Sequence, residues 1–411
     1  MAKLFKIALR NLMRYKRRTW LTASLITIGV VFVLVFIAVS GSFKSMMVGQ
    51  ITDSMLGHIQ IHQKGYVASI DNLPLNLNLK AKKAQEIEGI LKGIPEIAAY
   101  APRIKFGGMF SNFAETTNIR LNGIYPEKEF QTVPLFLDRV ISGNKNLQRG
   151  EIFIPELLAT GMKIKVGDPV VIVATNQDGS VNGKQFKVAA VLASVTGPGG
   201  RDGYIHIEDA AEVLRMEGLE ISEIAIRLKD FDQLHQVNRK LEAMLTGTNA
   251  SGQPRLEVHT WETLSPFFNI AKMIEVMTLF IKLMLISIVL VSIMNVMIMA
   301  VYERIREIGT IAAIGTQPGK ILSMFVAEGF CLGVLGSLLG IVVGSVLIFI
   351  LNSAHLHFDF GMQKGLLLSV RLLPKDLLVI AVIVVIVSVL ASLQPALKAS
   401  RMEPIKALRH V

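Results

Sequence analysis

Few residues in this chain are spaced for chemistry, and each group that is can be tested against what its reaction would need. The nearest match to a phosphate-binding loop is Gly315-Thr316-Gln317-Pro318-Gly319-Lys320. A P-loop needs four residues between its glycines and Ser or Thr after the lysine; here three intervene and Ile321 follows, so nucleotide binding by this motif is excluded. His58 and His62 stand four apart, but GHIQIHQ alternates like a strand, with Ile59 and Ile61 opposite and no acidic or cysteine neighbour. His355 and His357 flank Leu356 with no supporting cluster. Both pairs are expected to be solvated histidines, and no metal site is expected. Neither GxSxG nor HExxH occurs, and Asn249-Ala250-Ser251 reads as a polar loop. Cys331, the one cysteine, can make no internal disulfide.

What remains is AVYERIREIGTIAAIGTQPGKI, residues 300–321. Glu303, Arg304, Arg306 and Glu307 are followed by the small residues Gly309, Ala312, Ala313 and Gly315. On a helix Glu303 shares a face with Arg306 and Glu307, and Ile308, Ile311 and Ile314 form an apolar stripe. Such an element can dock on a soluble partner, or it can be a plain juxtamembrane turn.

The elements that must position this segment are membrane spans. Of 411 residues 51% are hydrophobic and 18% charged, with a mean hydropathy of +0.49. That apolarity concentrates in residues 19–41, 279–301, 321–351 and 377–397. A hydrocarbon core about 30 Å thick needs about 20 helical residues, so four spans follow. The first is too long for a signal-peptide core and is expected to remain as an anchor. Net charge is +11, yet residues 42–271 carry 24 Lys and Arg against 25 Asp and Glu, while residues 1–19 carry seven basic residues and no acidic one. The positive charge belongs to membrane flanks, which excludes a nucleic-acid partner. Basic residues stay preferentially in the cytoplasm. Lys3, Lys6, Arg10, Arg14, Lys16, Arg17 and Arg18 therefore place the N-terminus inside, Lys398, Arg401, Lys406 and Arg409 place the C-terminus inside, and residues 42–270 lie outside.

The expected layout is a cytoplasmic amphipathic helix (1–19), a first span (20–41) and an extracytoplasmic domain (42–265). A stalk and second span (266–301) lead to a cytoplasmic loop (302–320), a third span (321–351), an outer loop (352–376), a fourth span (377–397) and a cytoplasmic tail (398–411). The fold class is an α-helical membrane protein with four spans arranged 1+3 and a large α+β outer domain containing a β-rich insert at about 130–220. Within that domain, residues 81–92 pattern as an amphipathic helix. Residues 97–110, 117–124, 221–228 and 256–260 read as strands, and 231–245 as a helix. The insert is read from short β-rich runs at 150–155, 169–175, 185–193 and 204–207 separated by turn signals. In the third span Gly329, Gly333, Gly336, Gly340 and Gly344 permit close helix approach; Glu328 there is costly unless paired or snorkelling. Asn295 in the second span is expected to make an interhelix hydrogen bond.

The segment ERIREIGTIAAIG resembles the hallmark ERxREIGxxxAxG of FtsX/MacB-type permeases of ABC transporters, with Glu303, Arg304, Arg306, Glu307, Ile308, Gly309, Ala313 and Gly315 at its fixed positions. The closing PALKASRMEPIKALR and the opening IALRNLMRYKRRTWLTA are similar to that family's ends, and GHIQIHQKGY after the first span looks most like its lipoprotein-releasing LolC/LolE branch. The resemblance implies a permease with no ATPase motif of its own. ATP and magnesium would be held by a separate ATPase subunit contacting Glu303–Gly315, and a second permease copy or homologue would complete a dimer among membrane lipids. It further implies, in a Gram-negative cell, inner-membrane location with a periplasmic domain that transfers lipoproteins to a periplasmic carrier. Acyl chains would then pass between spans one and two near Val31, Val35, Leu283 and Ile286. Peptide or drug export, or signalling to a cell-wall hydrolase, are the alternatives.

Overall fold

The computed structural model describes residues 10–195, 200–245, 256–355, 357–360, 363–367, 369–370, 372 and 374–403. The Asn249-Ala250-Ser251 loop, the turn at 197–199, Lys3, Lys6 and the closing motif from Pro404 onward lie outside them. The described chain divides into two compact units, one of residues 1–44, 273–357 and 367–411 and the other of residues 45–272 and 358–366.

In chain order, helix α1 (Lys16–Ile51) leads to β1 (Ile59–Gln63), α2 (Ala81–Lys92), β2 (Ile97–Ser111), β3 (Thr116–Ile124) and α3 (Pro126–Thr132). Then come β4 (Val140–Gly143), β5 (Glu151–Pro155), α4 (Glu156–Gly161), β6 (Pro169–Thr175), β7 (Val181–Leu192), β8 (Gly203–His206) and α5 (Ile207–Val213). β9 (Glu223–Leu228), α6 (Leu234–Leu245), β10 (Leu256–Thr260) and α7 (Trp261–Leu264) complete that stretch. Helices α8 (Phe267–Glu303), α9 (Ile305–Ala313) and α10 (Pro318–Ser353), the short pair β11 (His357–Phe360) and β12 (Gln363–Leu367), and α11 (Pro374–Ser400) follow. Among the described residues four helices are long and apolar enough to cross a bilayer: one near the N-terminus and three in the C-terminal part.

The outer domain is organised by one strand. β2 is 15 residues long and pairs antiparallel with β9 over Ile97–Arg103, with β3 over Arg103–Ser111 and with β6 over Met109–Ser111. The sheet order is β10-β1-β9-β2-β3-β8-β5-β7-β4, with β6 bridging β2 and β7. Strands β4 to β8, from the β-rich segment, thus continue the sheet of the flanking α/β elements.

Burial corrects one expectation. His58 and His62, expected to be solvated, are buried, His62 completely. β1 lies between β10 and β9, so both its edges are paired, and its side chains are buried on both faces of the sheet. His58 Nε2 is 3.3 Å from Asp53 Oδ1, and His58 Nδ1 accepts from the Leu228 amide at 3.1 Å. His62 Nε2 stands 3.5 Å from Glu223 Oε2. Glu223 belongs to a buried charge network in which Arg103 clasps Glu129 through two hydrogen bonds (3.0 and 2.6 Å) and Glu223 through a third (2.9 Å), while Lys105 reaches Glu223 at 2.9 Å. Burial would raise the Glu223 carboxyl, but Lys105, His62 and Arg103 hold it far below the usual carboxylate range. Burial also pushes His62 below its ordinary value, and Glu223 offsets this only in part.

In the membrane unit the third-span glycines divide between two partners. A Cβ on Gly329 or Gly333 would fall 2.6 Å from Ser392 Cβ and 2.7 Å from Ser388 Cβ on α11. On Gly336 or Gly340 it would fall 2.4 Å from Ile26 Cγ2 and 2.5 Å from Val30 Cβ on α1. Spacings of four and three keep all four glycines on one helix face, which meets α11 at Gly329 and Gly333 and α1 further along, at Gly336 and Gly340. Without side chains at these positions α10 packs backbone-close on both neighbours.

Candidate functional site

The segment between the second and third spans is shaped by a break, a stop and a restart. α8 ends at Glu303, and Arg304 adopts a non-helical conformation (φ −112°, ψ 19°) before α9 begins. α9 runs only to Ala313; Gly315, at φ +93°, takes the left-handed conformation that lets the Gly315 and Thr316 amides return to the carbonyls of Ala312 and Ile311. Pro318 then opens α10, where its missing N–H costs nothing.

The break is held by buried charge. The Arg304 side chain is 5% exposed and that of Glu328 1%, and they meet at 3.0 Å. Arg304 Nε also donates to Glu307 Oε2 at 3.1 Å, and its guanidinium lies 5.1 Å from the centre of the Tyr15 ring. From the N-terminal segment, Asn11 Nδ2 donates to Glu328 Oε1 at 2.8 Å and the Tyr15 hydroxyl donates to Glu307 Oε1 at 3.0 Å. Arg14 approaches Glu307 at 3.8 Å. Three stretches of chain, 11–15, 304–307 and 328, are thereby tied at one point. Burial opposes the charge on Arg304, but Glu328 and Glu307 raise its pKa above the usual value. Burial likewise opposes ionisation of Glu307, and bonds from Arg304 and Tyr15 hold it below the ordinary carboxylate range.

This revises the expected role of Arg304. Expected among residues contacting a partner, it is instead buried within the chain and closes on Glu328, whose cost in a span it offsets. Gly309 is also buried, with Ile305 and Ile308. The exposed face of the segment carries Tyr302, Glu303, Arg306, Thr310, Ile311, Ala313 and Ile314, and Ile314 is 80% exposed. The expected apolar stripe therefore splits: Ile308 packs inward, whereas Ile311 and Ile314 face outward at the tip that Gly315 terminates. Asn11, Tyr15 and Glu328 were not assigned to this site from sequence; the signal was the uncompensated carboxylate of Glu328 in an apolar run.

The four residues expected to line a cargo path are not brought together on one wall. Ile286 lines a cleft with Val33 and Ile37, Val35 packs against the bundle core, Val31 is half-buried and Leu283 is exposed. Asn295 is exposed, and its side chain has no hydrogen-bond partner among the described residues.

Residues 19–244 match the MacB-like periplasmic core domain, and residues 279–404 the FtsX-like permease C-terminal domain. The lipoprotein-releasing system transmembrane protein LolC of Xylella fastidiosa is 23% identical over 333 residues, covering 77% of this chain and 78% of that protein. LolC of Neisseria meningitidis is 25% identical over 430 residues and 98% of each chain. The uncharacterized ABC transporter permease YknZ of Bacillus subtilis is 25% identical over 414 residues and 98% of each chain.

Proposed function

The chain belongs to the family of ABC transporter permeases that join a MacB-like periplasmic core domain to an FtsX-like membrane region, and from that premise we propose that it works with a separate ATPase subunit to release lipoproteins from the inner membrane. The observation that carries the coupling half is α9: a helix fixed at its base by Arg304, Glu307 and Glu328 and bare at its tip, where Ile311 and Ile314 face outward. A rigid base and an apolar tip suit an element that seats in a groove of another subunit and passes on its movement. The basic N-terminal segment supports a cytoplasmic position for this loop. The cargo half rests on the LolC relatives, which are lipoprotein-releasing system proteins by name; peptide or drug export is the second reading, since YknZ covers the chain equally and carries no such name.

The test is affinity purification of the chain from its native membrane, wild type beside Ile314→Asp, with mass spectrometry of proteins and acylated peptides. We expect an ATPase subunit with the wild type, lost from the variant at an unchanged melting temperature, and acylated lipoproteins in the same eluate. An ATPase without lipoproteins moves the cargo to peptides or drugs. Full retention of the ATPase by the variant refutes docking through the α9 tip.

A further inference from the structure

Helices α1, α8 and α11 enclose a cleft of about 110 Å³ walled by Gly29, Val33, Ile286, Val379, Ile383 and neighbouring apolar residues, with Lys282 and Asp376 also on its lining. The two charges are unpaired: among the described residues neither has an ion-pair or hydrogen-bond partner, and they do not close on each other. Their depth is set by helix geometry. Lys282 lies 21 residues before Glu303 on α8, and Asp376 lies 22 residues before Lys398 on α11. At about 1.5 Å per residue both stand about 32 Å from the α9 end of the bundle, roughly the thickness of the hydrocarbon core. An ammonium and a carboxylate therefore sit together at headgroup level above an apolar slot.

We propose that this cleft is a binding site for a phospholipid with a zwitterionic phosphoethanolamine headgroup, in the leaflet away from α9. The Lys282 ammonium takes the lipid phosphate, Asp376 takes the lipid ammonium, and part of one acyl chain lies along Val33, Ile286, Val379 and Ile383. Charge complementarity selects this occupant. A phosphoglycerol headgroup supplies a phosphate for Lys282 but leaves Asp376 without a cation, and a choline headgroup supplies a cation that cannot donate a hydrogen bond. Size argues the same way, because the cleft is well below the roughly 300 Å³ at which ligand pockets begin and fits a length of chain lying half in the bilayer. Gly29 opens the floor: a Cβ there would fall 2.2 Å from Val289 Cγ2, so α1 and α8 approach closely beneath the slot. The inference does not depend on what the transporter carries.

The test uses the full chain with its ATPase subunit in nanodiscs of equal phosphatidylethanolamine and phosphatidylglycerol. Extraction into mild detergent and limited washing precede mass spectrometry of the retained lipid. We expect the wild type to retain about one phosphatidylethanolamine per chain, enriched several-fold over the bulk ratio. Lys282→Gln with Asp376→Asn should return the retained mixture to the bulk ratio, and Ile383→Trp should reduce total retained lipid. Retention at the bulk ratio by the wild type, or enrichment that survives the charge-neutral pair, overturns the proposal. So does a photocrosslinker at position 383 that captures acylated protein instead of phospholipid, because the cleft would then belong to the cargo path.

Discussion

Replacing Arg304 and Glu328 separately and together distinguishes a junction that only stabilises from one that transmits. At 3.0 Å and an effective dielectric of about 20, their attraction is about 5 kcal/mol before desolvation is charged against it. Arg304→Met leaves Glu328 as a buried carboxylate that accepts from the neutral Asn11 amide but has lost its arginine, a loss of about 3–5 kcal/mol. Glu328→Leu leaves the buried Arg304 still paired with Glu307 at 3.1 Å, so its charge keeps a carboxylate partner and the loss is smaller, about 2 kcal/mol. The double variant strands neither group of that pair and fills the site with apolar volume, so it should unfold within about 1 kcal/mol of wild type. Its ATPase stimulation should nevertheless stay low, because Asn11 and Glu307 each lose a partner and α9 is held to the N-terminal segment only through the contacts of Tyr15 and Arg14 with Glu307. The assays are unfolding by denaturant in detergent micelles and ATP hydrolysis by the co-purified subunit in nanodiscs. A double variant no more stable than Arg304→Met refutes the energetic argument; one that recovers both stability and full ATPase stimulation refutes the mechanical one.

Two further outcomes follow from packing and burial. Gly336→Val should destabilise the bundle by about 1–3 kcal/mol, since its Cβ would lie about 1 Å inside ordinary contact with Ile26; adding Ile26→Ala should recover most of that, read as the change in melting temperature across the four-variant cycle. The outer domain should lose stability on acidification, because His62 has a folded pKa below 6.5 and binds its proton more readily when unfolded. Its contribution falls once pH drops below about 6.5, at up to about 1.4 kcal/mol per pH unit. Glu223, also depressed, adds a second loss below about pH 4.5. Melting curves of wild type and His62→Gln between pH 8 and 5 should converge toward the acid end, and parallel curves would refute the assignment.

The spans were legible because about 20 uncharged apolar residues have few alternative fates, and the helix at 81–92 because Ala84, Ile87 and Leu91 repeat at helical spacing and are the residues buried. The histidines of β1 were misread because period-two alternation signals a strand with one wet face, and no local feature reveals that this central strand is buried on both. Arg304 was misread for a related reason. Charge in a short loop between spans is normally solvated, and its burial depends on Glu328, 24 residues later, and on Tyr15, far earlier in the chain. Long-range pairing of that kind leaves a trace only as an unexplained carboxylate in an apolar helix. Gly315 stood out only as one of several small residues; that it ends the helix directly after Ile314, leaving that side chain exposed at the tip, shows only in the fold.

Asn295 carries the remaining argument. Along α8, Met284, Ile288, Val291, Asn295, Met299 and Tyr302 are all exposed, and their spacings of four and three place them on one stripe opposite the buried Val289, Ile293 and Met297. Eight residues, or about 12 Å, separate Asn295 from Glu303, so an uncovered carboxamide would face hydrocarbon. A membrane helix meets that cost by giving the amide a partner on another helix, worth about 0.6–2 kcal/mol. Within the described residues none exists, which points to a second permease laid along this stripe, as the dimeric organisation of the family implies. Cys331→Ala with Asn295→Cys should give a disulfide-linked or bismaleimide-linked dimer in native membranes, whereas a cysteine at Leu338, exposed on α10, should not. Asn295→Leu should weaken association three- to thirtyfold by the same 0.6–2 kcal/mol. Equal crosslinking at both positions, or association unchanged by Asn295→Leu, would remove α8 from the dimer face.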